Sequence, residues 1–327
     1  MKQIILLLFL ALPLFSFSEP DWTWWNVKHG WQTGMPGWRM MIHITPGYLG
    51  PNALPVPEIK KGIVVTGNNL EFGLDMHFRT GDPTQNISGK YYKSFADNKI
   101  AFEVYGVLLE HYAMSDTVRD ERIARDKDGK GIAIGDLYFS TMIQLFKDRK
   151  FPDTMIRLTG RTASGGHLDA ARYSDAPGYF FDLSFSKSYS CKNEQMSFRP
   201  YATIGFYSWQ TNDEMNLQND ALLYGGGVEC KWDGWTLSNT LGGYSGYKHE
   251  RDRPIVYTLD LVHKLKKNAF RFQYLYGIRH WTYQTFKFSY IINLENKQKL
   301  FGLLLLFIVF QSKRVFHATK NRFPPVI

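Results

Sequence analysis

Between residues 70 and 292 apolar and polar positions alternate with a period of two. In the clearest stretch Leu70, Phe72, Leu74, Met76 and Phe78 share one face and Glu71, Asp75, His77 and Arg79 the other, the spacing of a β-strand with two unlike sides. The pattern returns near 98–110, 134–146, 153–163, 178–189, 197–209, 220–232, 235–247, 254–265, 269–280 and 283–292. In 269–280, for example, Phe270, Phe272, Tyr274, Tyr276 and Ile278 oppose Arg271, Gln273 and Arg279. These runs predict an all-β chain, and their length is that of a tilted strand crossing a bilayer.

The connections sort into two kinds. Those near 147–152, 190–195, 233–234 and 266–267 are short, whereas those near 111–132, 164–176 and 210–219 are long and polar. Their alternation predicts an antiparallel transmembrane β-barrel of about 12 strands, with tight turns in the periplasm and long loops outside. Eleven strands are visible and closure of such a barrel takes an even number, so a twelfth is expected. Trp38–Ile44 is the first candidate and Gly62–Thr66 the second; alternatively, the Trp- and Pro-rich segment 19–60 is a periplasmic or lumenal extension. The barrel itself is expected over 61–294. Beyond it, 295–327 is an atypical tail, apolar at Leu300–Phe310 and then basic.

Composition agrees with this picture. Aromatic residues make up 16% of the chain while mean hydropathy is only −0.29, the combination expected when lipid-facing and lumenal positions alternate. At the start, Lys2, the apolar run Ile4–Phe15 and Ser16-Phe17-Ser18 predict a signal peptide over 1–18, too short for a spanning helix. The net charge of +9 is spread through alternating segments and concentrated only in the tail, so nucleic acid is not expected as a partner. Cys191 and Cys230 are a candidate disulfide in an oxidising compartment.

With the apolar face toward lipid, Glu71, Asp75, His77, Arg79, Glu103, Asp136, Arg157, Arg161, Asp182, Arg199, Asp260, Arg271 and Arg279 are expected to line the lumen. Acids on early strands and arginines on later ones would set up a transverse field across it. Trp209, Trp232, Trp235, Tyr244, Tyr247, Trp281 and Tyr283 fall near strand ends and read as interfacial girdle residues. The run Asp126–Gly131 has the look of a calcium loop, but Lys130 stands where a ligand belongs and Leu137 where the closing Glu belongs; it reads as a polar outer loop. No Gly-x-Ser-x-Gly elbow and no zinc-spaced His/Cys set is present, so no catalysis, metal or cofactor is expected.

Gly135-Asp136-Leu137-Tyr138-Phe139, Arg161-Thr162-Ala163-Ser164-Gly165, Asp175-Ala176-Pro177-Gly178-Tyr179 and Pro46-Gly47-Tyr48-Leu49-Gly50-Pro51-Asn52 are together similar to the phenol-degradation pathway (MetA-like) family of Gram-negative outer-membrane proteins. The resemblance covers roughly 60–294 and implies a barrel that moves small, often apolar, compounds. The resulting expectation is a porin-like outer-membrane channel or facilitated-diffusion pore with a charged lumen, held in outer-membrane lipid and placed there by the barrel-assembly machinery. A structural or adhesive barrel with a filled lumen is the alternative, and a lipid-modifying enzyme the third reading.

Overall fold

The computed structural model describes residues 21–148, 150–190 and 196–294. The signal peptide expected at 1–18, Cys191 with its candidate bridge, and the tail 295–327 lie outside them.

The chain divides into two units, one up to Pro36 and one from Gly37 onward. In the first, α1 (Thr23–His29) is closed by Gly30 in the left-handed conformation, with Lys28 and His29 at its negative end, where the helix dipole favours cations.

The second unit is built from β1 (Asn68–Phe78), β2 (Thr84–Phe95), β3 (Ile100–Ala113), β4 (Lys130–Ala133), β5 (Leu137–Phe146), β6 (Asp153–Arg161), β7 (Gly178–Ser186), β8 (Tyr189–Ser190), β9 (Met196–Asp213), β10 (Asn216–Trp232), β11 (Trp235–Gly246), β12 (Ile255–Lys264), β13 (Ala269–Arg279) and β14 (Gln284–Asn293). β4 pairs only with the outer end of β3, and β8 only with β9. The other strands form a closed antiparallel barrel of 12, each paired with its sequence neighbour and β14 returning to β1. With every edge paired, no row of backbone donors and acceptors is left open.

The twelfth strand is β2, not Trp38–Ile44 or Gly62–Thr66. Trp38–Met41 is a 3-10 turn, and the chain from there to β1 has no strand and runs down the inside of the barrel. The long connections after β3, β6 and β11 lie at one end of the barrel and short turns at the other, but the long-loop end also carries short ones. There 210–219, expected as a long polar loop, is instead a hairpin in which β9 and β10 run on and meet across Glu214 and Met215, and β1–β2 and β13–β14 are joined by 79–83 and 280–283. Two of the long loops carry helical turns: α2 (Asp116–Glu121), capped by the Ser115 side chain accepting from Val118 N–H, and a 3-10 turn at Leu168–Ala170.

The alternation read in β1 is the alternation of the wall: Leu74 is 59% exposed on the outer face and its neighbour Asp75 is 5% exposed inside. Cross-strand register keeps each face uniform. Leu74 lies beside Phe288 outside, while Asp75 lies beside Lys287 and Asn86 inside.

Candidate functional site: a lumen threaded by its own strap

Residues 42–67 form a strap through the barrel, rich in proline (Pro46, Pro51, Pro55, Pro57) and therefore short of backbone donors. The wall supplies bonds to its free carbonyls. Trp209 Nε1 donates to Ile44 O at 2.8 Å, Trp281 Nε1 to Pro51 O at 2.9 Å, Arg161 Nη1 to Ala53 O at 2.5 Å and Tyr244 OH to Leu54 O at 2.8 Å. Lower down, Gln144 takes Val64 N–H at 2.6 Å and donates to Gly62 O at 2.9 Å. Gly62 (φ +68°) passes so close to the wall that a Cβ would stand 2.8 Å from Asp153 O. Gly225 and Gly242 leave the room that Ile59 fills, a Cβ there meeting it at 2.6 and 2.8 Å.

Toward the long loops the lumen is solid. Ile42, Ile44, Leu49 and Leu54 of the strap pack with Tyr112, Tyr173, Phe180, Tyr207, Trp209 and Tyr244 in one buried cluster. Loop arginines close this end. Arg172 is fully buried and donates to Glu110 Oε1 (2.8 Å), Asp82 Oδ1 (2.8 Å) and Thr84 Oγ1 (2.9 Å). Arg122 reaches Asp82 Oδ2 and Tyr283 OH, both at 2.7 Å, and Tyr173 OH donates to Glu110 at 2.8 Å. Burial alone would raise the Asp82 pKa; the charges of Arg122 and Arg172 outweigh it and hold the carboxyl below its ordinary range.

Toward the short turns the strap is held by charge. Glu58 pairs with Arg271 (2.8 Å), Lys60 (3.1 Å) and Lys90 (3.2 Å), Lys60 with Glu103 (3.1 Å) and Lys61 with Glu229 (2.6 Å). Two cavities of about 250 Å³ each flank this part of the strap, sharing Glu58, Ile59, Lys61, Glu71 and Lys90. The first has a mixed lining, with Val56, Val256, Leu275 and Trp281 beside Asp260 and Arg271.

Glu71, Asp75, His77, Glu103, Asp136, Arg157, Arg161, Asp182 and Asp260 are buried inside the wall, and Arg271 and Arg199 face inward on their strands. Arg79 and Arg279 sit at the long-loop rim: Arg79 pairs with Glu121 at 3.3 Å, and the exposed Arg279 donates to Arg253 O at 2.8 Å. The opposite charges are not separated across the lumen as expected but paired along the wall, Arg157 with Asp182 at 2.6 Å and Arg271 with Asp260 at 2.8 Å. Both ring nitrogens of His77 are engaged, at 2.7 Å, by Thr285 and Asn86. Asp126 of the calcium-like run accepts from Tyr112 OH at 2.9 Å, and among the described residues no cluster of His, Cys, Asp and Glu is arranged to hold a metal. Cys230 lies on the outer face between Phe198 and Leu237.

Four of the expected girdle aromatics, Trp209, Tyr244, Trp281 and Tyr283, are instead buried inside, three of them holding the strap and Tyr283 the arginine network. Sequence reading also missed Asp82, Glu110, Arg122 and Arg172, which lie in loops or beyond an irregularity in the strand, and the strap's Glu58, Lys60 and Lys61, which no periodicity marks.

The sequence matches no family model and no curated protein. Solved structures of similar fold include a KdgM porin (TM-score 0.41, 9% identity, 68% of this chain and 98% of that one). An outer-membrane channel from Pseudomonas putida F1 aligns with TM-score 0.47 and 10% identity over 72% of this chain and 99% of that one. A CymD monoaromatic hydrocarbon channel aligns with TM-score 0.35 and 7% identity over 70% and 89%. These neighbours are outer-membrane channels and porins rather than enzymes.

Proposed function

We propose that the protein is an outer-membrane channel for small molecules, closed in this conformation by its own strap, with the short turns in the periplasm and the long loops outside. The observation that carries the reading is the strap itself. It fills the lumen, yet it belongs to no strand of the wall, so it can move while every barrel hydrogen bond stays in place. Cavities already flank it at the short-turn end, with apolar and charged groups side by side, a lining suited to small amphipathic solutes. The channel and the MetA-like resemblance point the same way, and no step needs a cofactor.

A filled structural barrel is the second reading, favoured by the solid packing at the long-loop end. One experiment separates the two. In a chain carrying Cys191→Ser and Cys230→Ser, Asn52→Cys and Asn86→Cys replace a strap-to-wall hydrogen bond of 3.0 Å with a bridge. Planar-bilayer conductance is expected to be silent when this pair is oxidised and to show steps on reduction. Equal steps in both states would remove the strap as the gate, and silence in both from a correctly folded barrel would favour the filled barrel.

A further inference from the structure

The charge that the sequence spreads along the chain is gathered by the barrel at one end. Lys99, Lys147, Lys150, Lys264, Lys266 and Lys267 all stand exposed on the short turns, and among the described residues none has an acidic partner within ion-pair distance. Among the described residues the exposed acids of these turns are Asp97, Asp148 and Asp233, half as many as these lysines. Lys231 is already engaged by Glu229 at 2.9 Å. At the long-loop rim several cations are paired with acids, as in Arg39–Asp175, Arg79–Glu121 and Lys248–Asp213, while Lys127, Lys130 and Arg279 are exposed there without an acid at ion-pair distance among the described residues.

The lysines alternate with apolar side chains pointing away from the barrel. Phe95, Phe146, Phe151 and Leu265 are 45, 47, 71 and 39% exposed, and Trp232 faces Trp235 on the outer surface. Lys93 Nζ lies 5.0 Å from the Phe95 ring. Aromatic rings at the edge of the hydrocarbon with ammonium groups just beyond it make a surface shaped for lipid headgroups. A docking site for a soluble acidic protein would not need the apolar belt beneath the charges.

We propose that the short-turn rim is a ring that recruits anionic phospholipids, its lysines contacting the phosphodiester headgroups of the adjacent leaflet while the belt packs on their acyl chains. This rests on the membrane placement proposed above but not on conduction. Each lysine near an anionic lipid surface favours association by about fivefold.

The test is native mass spectrometry of the full chain released from nanodiscs of mixed phosphatidylethanolamine and phosphatidylglycerol. Retained phosphatidylglycerol is expected in several-fold excess over its share of the bilayer. The excess should disappear in a Lys147→Gln, Lys150→Gln, Lys264→Gln, Lys266→Gln, Lys267→Gln variant whose heat-modifiable gel mobility shows an intact barrel. Retention in proportion to the bilayer, or an excess that survives the five substitutions, would overturn the proposal. So would equally effective competition by soluble glycerol phosphate, which would make the ring a site for free anions. Loss of lipid selectivity in channels that still conduct, or its retention in silent ones, tells failure of this inference from failure of the channel reading.

Discussion

Arg172 shows what a single residue does here. Its guanidinium is fully buried with three acceptors, so Arg172→Ala leaves the equally buried Glu110 and Asp82 short of a counter-charge. Breaking one partner out of such a buried set costs about 3–5 kcal/mol; the expected outcome is a matching loss in urea unfolding of the protein in vesicles, and a loss below about 1 kcal/mol would mean that Arg122 alone balances the pair. On the outer surface Glu121 bridges Arg79 and Arg251. Burial raises its pKa, but the Arg251 hydrogen bond and both arginine charges outweigh that and hold it below the usual value. A lowered pKa means the bridge contributes above the free-carboxyl value near 4.3 and is lost as pH falls through the lower, folded value. Spin labels at Thr117 and His249 should therefore give a narrow distance distribution at neutral pH and a broad one in acid; equal widths would exclude this clasp. Glu103 and Asp75 could be read from parity, because the strand period places them. Glu110 could not: the register shift opposite Ile87 and Ser88 leaves Leu108 as an extra residue and reverses the faces beyond it.

At the scale of elements, β2 was invisible for a physical reason. Its inner positions Thr84, Asn86, Ser88 and Lys90 are polar, and its outer ones include Gln85, Gly89 and Lys93, so the hydrophobic contrast that marks β1 is missing. What identifies β2 as wall is its partners, β1 and β3, which sequence does not display. Four of the seven expected girdle aromatics, Trp209, Tyr244, Trp281 and Tyr283, failed for the complementary reason: an aromatic residue near a strand end looks the same whether it faces lipid or a strap that exists only in three dimensions. For the wall itself, the outer face of β1 sets a sharp expectation. Leu74→Arg places a guanidinium in hydrocarbon and should destabilise the barrel by about 2–4 kcal/mol in vesicle unfolding. The same measurement on Phe95→Arg, at the rim, should give about 1 kcal/mol or less. Equal costs at the two depths would contradict the membrane placement of the strand.

For the whole molecule, the strap divides the lumen into halves held by different forces, and in the channel proposed above this would govern how it opens. Near the long loops, apolar packing and bonds to strap carbonyls do not respond to salt; near the short turns, Glu58, Lys60 and Lys61 hold it through ion pairs. The Debye length falls from about 10 Å at 0.1 M salt to about 3 Å at 1 M, and these pairs border cavities rather than dry protein, so screening reaches them. The lower half should therefore release first, with the packed half as its anchor. Between 0.1 and 1 M KCl, conductance should rise more steeply than the conductivity of the bath, because salt adds open time as well as carriers. A Lys60→Ala, Lys61→Ala variant lacks the ties to Glu103 and Glu229, and should show the raised open time already at 0.1 M with only a proportional response beyond it. If both proteins instead follow bath conductivity in strict proportion, the charges do not restrain the strap, and its release must begin in the packed half, where Trp209, Trp281 and Tyr244 hold its carbonyls.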